Sequence, residues 1–185
     1  MAKRKIQTFE RNKRDFYPTP PEAVTPLINF IEPLKFVEPC AGDGALRNTL
    51  VDAGFKCTRA SDIEPRGPKI TEQDALALTE KQVASADAII TNPPFKQKWL
   101  APMLTHWLTL GKPVILLLPS DVLVNIWFAP FAPHVTAIKP IGRVRWIPDS
   151  TQMSMENFAW VALDPKPLDT PFIHPRDPRK NRSAA

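Results

Sequence analysis

The run Asp87-Ala88-Ile89-Ile90-Thr91, followed at once by Asn92-Pro93-Pro94-Phe95, constrains this chain more than any other stretch. Its apolar, β-branched centre bounded by prolines predicts a short buried strand. Each proline removes a backbone donor and pushes the residue before it toward extended geometry, so the strand stops abruptly and Asn92 sits in a stiff loop at its carboxyl end. In an open α/β sheet that edge is where ligands bind. The Asn92 side-chain oxygen and the Pro93 carbonyl are two acceptors suited to one planar amino group, and Phe95 offers a flat face for stacking. A strand that merely ends at a double proline is the plainer alternative. At about 5% per residue type the tetrapeptide is expected at roughly one position in 10⁵, which favours the chemical reading.

Two further segments carry the same logic. Phe36-Val37-Glu38-Pro39-Cys40-Ala41-Gly42-Asp43-Gly44-Ala45-Leu46 predicts a strand, a glycine turn and a helix through about Ala53. That succession brings a ligand close to backbone amino groups at a helix start. The dinucleotide fingerprint would need a small residue three places after Gly44, where Arg47 stands, so a cofactor without phosphates fits better. A second strand, Cys57 to Ile63, holds Asp62 about twenty positions beyond the turn, where a carboxylate can accept both hydroxyls of a ribose. Asp74 opens a weak helix and either caps it or receives an adenine amino group.

The remaining pattern alternates. Before the glycine turn, Asp15-Phe16-Tyr17-Pro18-Thr19-Pro20-Pro21 predicts an ordered loop, with Thr19 or a following backbone group capping a short helix from Pro20 or Pro21 to Phe30. After Phe95 come a helix from Gln97 to Leu110, an apolar strand from Lys112 to Leu118, and a helix from Asp121 to Phe131 capped by Ser120. Val135 to Trp146 and Phe158 to Leu163 are extended runs joined by a polar segment, which predicts a closing hairpin. Alternating strands and helices give a mainly parallel sheet. From Pro165 onward proline and charge dominate, predicting a poorly ordered tail. Trp107, Trp127 and Trp160 fall on apolar faces and are expected in the core; Trp99 and Phe158 lie near the expected site loops.

At 185 residues the chain has room for one domain and its tails: a basic arm over 1–14, a catalytic domain over 15–164 and a proline-rich basic tail over 165–185. The arm holds six basic residues against one acidic, and the net charge of +5 is carried by the two ends, leaving the middle slightly acidic. Basic ends on an acidic body suit phosphate contacts, or equally serve as solubilising tails. No apolar run of membrane-spanning length and no apolar signal core follow Met1, so a cytoplasmic protein is expected. Cys40 and Cys57 are the only cysteines and the three histidines are scattered, which predicts reduced thiols and no metal site.

The succession Phe16-Tyr17-Pro18-Thr19-Pro20, Glu38-Pro39-Cys40-Ala41-Gly42-Asp43-Gly44, Asp62, Asp74 and Asn92-Pro93-Pro94-Phe95 resembles the S-adenosylmethionine-dependent DNA adenine-N6 methyltransferases, especially small single-domain phage or prophage types. The likeness spans roughly residues 15 to 164, and departs from the family where Cys40 stands in the turn. It implies a Rossmann-like class I methyltransferase fold, an α/β architecture whose mainly parallel seven-stranded sheet ends in a reversed β-hairpin strand. It implies that Phe16, Tyr17 and Thr19 line the methionine end of S-adenosylmethionine, that Glu38, Ala41, Gly42 and Asp43 shape the turn around it, and that Asp62 holds the ribose and Asp74 the adenine, with Asn92 beside the methyl group. Asn92, Pro93, Pro94 and Phe95 would form the catalytic loop.

An adenine N6 lone pair is delocalised into the ring, and two acceptors on its hydrogens turn it toward an electrophile. In duplex DNA that nitrogen is inaccessible, so the base must flip or be presented single-stranded. Lys96, Lys98, Arg143 and Arg145 are candidate phosphate contacts, or ordinary solvated surface. Neither the stretch before Asn92 nor the tail has room for a separate recognition domain, so short or relaxed sequence specificity is expected of a monomer or weak dimer. RNA adenine methylation is a close rival. Protein-glutamine methylation is another, although such enzymes usually carry Tyr where Phe95 stands. A nucleic-acid-binding module with a vestigial cofactor fold is the non-enzymatic alternative.

Overall fold

A computed structural model describes residues 17–147, 152–171 and 173. Its frame is a seven-stranded sheet formed by β1 (Lys35–Glu38), β2 (Lys56–Asp62), β3 (Thr71–Glu72), β4 (Ala88–Thr91), β5 (Val114–Pro119), β6 (Val135–Arg143) and β7 (Asn157–Leu163). The strand order is β3-β2-β1-β4-β5-β7-β6. β1 pairs in parallel with β2 and β4, as do β2 with β3 and β4 with β5, whereas β7 runs antiparallel between β5 and β6. The chain thus builds outward from β1 on one side, then resumes at β4 on the other. The reversal leaves a crevice at the carboxyl ends of β1 and β4, from which the glycine turn and the Asn92 loop emerge side by side.

Strand alternation assigns the apolar side chains to two layers. Val37, Ile89, Val114, Leu116 and Val161 pack on one face with α4 (Gln97–Thr109), and Phe36, Ala88, Ile90, Ile115 and Trp160 pack on the other with α1 (Pro21–Ile28) and α2 (Ala45–Asp52). β4 and β5 are buried along their whole length, as continuous apolar strands covered on both faces must be. Trp107 and Trp160 are fully buried, and each indole N–H finds a carbonyl, that of Ala75 at 3.1 Å and that of Ala23 at 2.7 Å. Trp127 is partly buried against the first layer.

Several expectations need correction. The helix expected over 121–131 is two 3₁₀ segments, Ser120–Val124 and Ile126–His134, because Asn125 adopts extended geometry and Pro130 and Pro133 remove donors that an α-helix would use. Ser120 makes no capping hydrogen bond there. α1 ends at Ile28, two residues early, and Thr19 does not cap it. β6 ends at Arg143, so Trp146 lies in the connection and not in the strand. Two elements were not anticipated: the short edge strand β3, and α3 (Glu80–Val83), which is announced by a reciprocal capping box between Thr79 and Gln82. Asp74 does cap, accepting from the Leu76 N–H at 2.9 Å above a 3₁₀ turn over Ala75–Ala77. In the stretch expected to be a loose tail, the Leu168 N–H donates to the Pro133 carbonyl at 2.8 Å and Ile173 packs on the core. The 1–14 arm and residues from 174 on lie outside the described residues. No helix among the described residues is long and apolar enough to cross a membrane.

Candidate active site

The glycine turn is shaped by backbone geometry. Gly42 and Gly44 have φ of 54° and 86°, the left-handed region that β-carbons disfavour, and Gly44 is the residue from which α2 starts. The turn is then tied to its neighbours. The Gly42 N–H donates to Asp62 Oδ2 at 2.8 Å, the Ala41 N–H to the Ser61 carbonyl at 2.9 Å, and the Ala45 N–H to Asp43 Oδ1 at 3.0 Å. The other Asp62 oxygen accepts from the Glu64 N–H at 2.8 Å. Each Asp62 oxygen is fixed by one amide and keeps a lone pair for a ligand hydroxyl.

A strap from Ile63 to Lys69 folds back over this turn, which sequence reasoning missed. The Arg66 N–H donates to the Gly42 carbonyl at 2.9 Å, and a β-carbon at Gly67 would overlap the Asp43 carbonyl, so only glycine permits this approach. Arg47, the residue that breaks the dinucleotide fingerprint, donates to the Pro68 and Lys69 carbonyls at 3.1 and 3.2 Å and holds the strap in place. The visible signal was Gly67 between Pro65 and Pro68.

Between these walls and the Asn92 loop lies a cavity of about 570 Å³. Among the predicted site residues, Tyr17, Thr19, Glu38, Ala41, Gly42, Asp43, Asp62, Asp74, Asn92, Pro93, Pro94, Phe95 and Lys96 all line it. Phe16 lies outside the described residues. Lys98, Arg143 and Arg145 are exposed and do not line the cavity. Trp99, expected near the site, is half exposed beneath the Lys98 ammonium at 4.8 Å and is not part of the wall. Trp146 does line the cavity, from the connection beyond β6 and not from the extended run that the sequence predicts for it.

Four aromatic rings form a continuous wall beside Asn92. Phe95 and Phe158 have centroids 5.7 Å apart, Phe158 and Trp146 meet edge to face at 5.1 Å, and Trp146 and Tyr17 lie 6.4 Å apart. The β6–β7 connection presents Trp146 because the Val144 N–H donates to Ser154 Oγ at 3.0 Å and the Ser154 N–H to the Val144 carbonyl at 2.8 Å. Asn92 donates through Nδ2 to Thr19 Oγ1 at 3.1 Å, and its Oδ1 is buried with no partner. A buried, unpaired acceptor costs free energy, which a ligand donor reaching Oδ1 would relieve.

Charge distinguishes what can enter. Carboxylates on the cavity wall, among them Asp43, Asp62, Asp74, Asp121 and Glu156, outnumber the cations Arg66 and Lys96. Such a wall repels phosphate and attracts a cationic ligand. Glu38 is 1% exposed with Oε2 unpartnered, and burial, aided by Asp62 and Asp43 and opposed by Arg47, holds its carboxyl well above the usual range. Burial and the Asp62 carboxylate likewise push the Cys40 thiol up, and burial raises Cys57 to about 11, so neither is an activated nucleophile. Among the described residues no group of three or more His, Cys, Asp or Glu side chains could hold a metal ion.

No protein-family model and no curated protein matches this sequence. Solved structures do match in shape. A protein ascribed to the RNA methyltransferases from Pyrococcus horikoshii aligns with a TM-score of 0.60 at 17% identity, over 86% of this chain and 92% of its own. One ascribed to the class I S-adenosylmethionine-dependent methyltransferases from Listeria monocytogenes aligns at 0.51 and 14% identity, over 85% and 60%. A modification subunit ascribed to a type I restriction enzyme of Vibrio vulnificus YJ016 aligns at 0.52 and 12% identity, over 83% and 45%. At these identities the likeness is one of architecture: this chain has the Rossmann-like class I methyltransferase fold, a mostly parallel seven-stranded sheet with an antiparallel carboxyl-terminal hairpin.

Proposed function

We propose that this protein transfers a methyl group from S-adenosylmethionine to the exocyclic N6 of adenine in DNA. The observation that carries this reading is the buried, unpartnered Asn92 Oδ1 at the foot of an aromatic wall, within a cavity that also holds the glycine turn. The cofactor fits the residues present. Its sulfonium and ammonium charges suit a wall rich in carboxylates, its ribose hydroxyls suit the remaining Asp62 lone pairs, and its lack of phosphate suits a turn that carries Arg47 where the dinucleotide fingerprint needs a small residue. When bound it supplies an electrophilic methyl group.

This chain's own residues do the rest. Asn92 Oδ1 and the Pro93 carbonyl would accept the two amino hydrogens of the base, which draws the nitrogen lone pair out of the ring; as the N–C bond forms the C–S bond breaks to leave a thioether, and the acidic nitrogen then releases one proton to solvent. The Phe95 face stacks on the base and replaces part of the stacking lost on leaving the helix, worth about 1–3 kcal/mol. The Phe95–Phe158 spacing of 5.7 Å is too close to admit a base between the two rings. Lys96, Lys98, Arg143 and Arg145 contact phosphates, positioning the strand without reading sequence, in keeping with short or relaxed specificity.

The test is tritiated methyl transfer to unmethylated duplex DNA, single-stranded DNA and RNA, with Asn92→Ala as control. Label on adenine N6 that vanishes in the variant supports the reading, and the substrate ranking separates DNA from RNA. Cofactor binding without label on any nucleic acid would overturn it and direct attention to a protein amide.

A further inference from the structure

Thr19 is expected to line the cofactor site, yet the structure gives its hydroxyl a different neighbour. Thr19 is 5% exposed, and its Oγ1 accepts from Asn92 Nδ2 at 3.1 Å across 73 residues of sequence. The other end of the same amide, Oδ1, is buried and unpartnered. A primary amide has two ends of nearly equal size and opposite hydrogen-bonding character. Turned by 180°, Asn92 would present two N–H donors to a substrate amino group, donor against donor, and the acceptor on which the proposed reaction depends would be lost. Some contact has to choose the orientation, and Thr19 is the contact present.

The local sequence makes Thr19 a firm reference point. It lies between Pro18 and Pro20, and the residue before a proline is confined to extended geometry. Pro20 then leads directly into α1, whose Ala23, Val24 and Leu27 are buried and whose Ala23 carbonyl is held by the Trp160 indole at 2.7 Å. The Thr19 hydroxyl is thus carried on a segment locked to the central sheet, in place of capping α1. In the arrangement present, the Thr19 oxygen accepts from Nδ2 and leaves Oδ1 without a protein partner, the orientation that the proposed reaction needs.

We infer that Thr19 is a positioning residue for the methyl-acceptor site: its hydroxyl oxygen holds Asn92 Nδ2 and so keeps Oδ1 as the end of the amide left to meet the substrate amino group. This rests on the function proposed above for the same site. Thr19→Val keeps the shape and removes the acceptor; Thr19→Ser keeps the acceptor and removes a methyl group. The expected result for Thr19→Val is a fall in kcat of about 10- to 100-fold, the scale of a small misplacement at a reacting centre. The cofactor Kd, measured by calorimetry, should stay within about threefold, and Thr19→Ser should retain kcat within about threefold of the parent. Thr19→Ala is read in the same way if the Val variant does not fold. Unchanged kcat in Thr19→Val would overturn the inference. So would a weakened cofactor Kd with full kcat at saturation, which makes Thr19 a cofactor ligand only, or equal damage in the Ser and Val variants. The parent reading fails separately: Asn92→Ala that still transfers methyl removes the site itself, whereas an inactive Asn92→Ala beside a fully active Thr19→Val removes only the role of Thr19.

Discussion

Trp160→Phe tests whether α1 is held to the sheet as described. The side chain is 1% exposed in the middle of β7, with Leu117 and Lys139 as its register partners. Its Nε1–H donates to the Ala23 carbonyl at 2.7 Å, joining residues 137 apart in sequence. Phenylalanine removes that hydrogen bond, at a net cost of about 1 kcal/mol. It also removes roughly 40 Å³ of side chain, which at about 24 cal/mol per Å³ of unfilled cavity adds about 1 kcal/mol. A total of about 2 kcal/mol corresponds, for a chain of this size, to a fall in Tm of about 4–8 °C. Trp107→Phe is the matched control. Trp107 is equally buried and its N–H bonds the Ala75 carbonyl at 3.1 Å, so its loss should lower Tm comparably while leaving α1 alone. Differential scanning calorimetry gives the first quantity and amide hydrogen exchange locates the second. Faster exchange in 21–28 is expected for Trp160→Phe only. A Tm drop under about 2 °C, or α1 protection identical in the two variants, would refute the claim that this single contact anchors the helix.

Three further outcomes follow from the site. Burial holds the Glu38 carboxyl above its usual value of about 4.5, so between the unfolded and folded values the folded chain carries the extra proton and stability falls as pH rises. Glu38→Gln should therefore raise the urea midpoint of the cofactor-free protein more at pH 8 than at pH 5; equal gains at both pH values would contradict the burial argument. Gly67→Ala should lower cofactor affinity at least tenfold with little change in kcat at saturation, because its β-carbon forces the strap away from Asp43; unchanged affinity in a fluorescence titration would show that the strap yields without moving the turn. Replacing the exposed Lys98, Arg143 and Arg145 together with Gln should reduce the slope of log Kd for DNA against log salt by about 2–3, and an unchanged slope would place the phosphates elsewhere.

The sequence by itself determined the parts of this protein that depend on local chemistry. Prolines and β-branched runs marked β4 and its abrupt end, the glycine turn announced itself through Gly42 and Gly44, and the alternation of strands and helices gave a mainly parallel sheet. Apolar spacing also placed Trp107 and Trp160 in the core, whereas Trp127, expected with them, is only partly buried. Local signals misjudged 121–131, where apolar spacing suggested a helix but Pro130 and Pro133 withdraw its donors. Tertiary structure alone decided which distant residues share the cavity. Trp146 reaches Phe158 and Tyr17 because β7 inserts between β5 and β6, the strap from Ile63 to Lys69 lies on the turn because Gly67 has no β-carbon, and Thr19 meets Asn92 because α1 is fastened to β7. Such contacts join residues tens of positions apart, and their free energy depends on sheet order, which no local window of residues encodes.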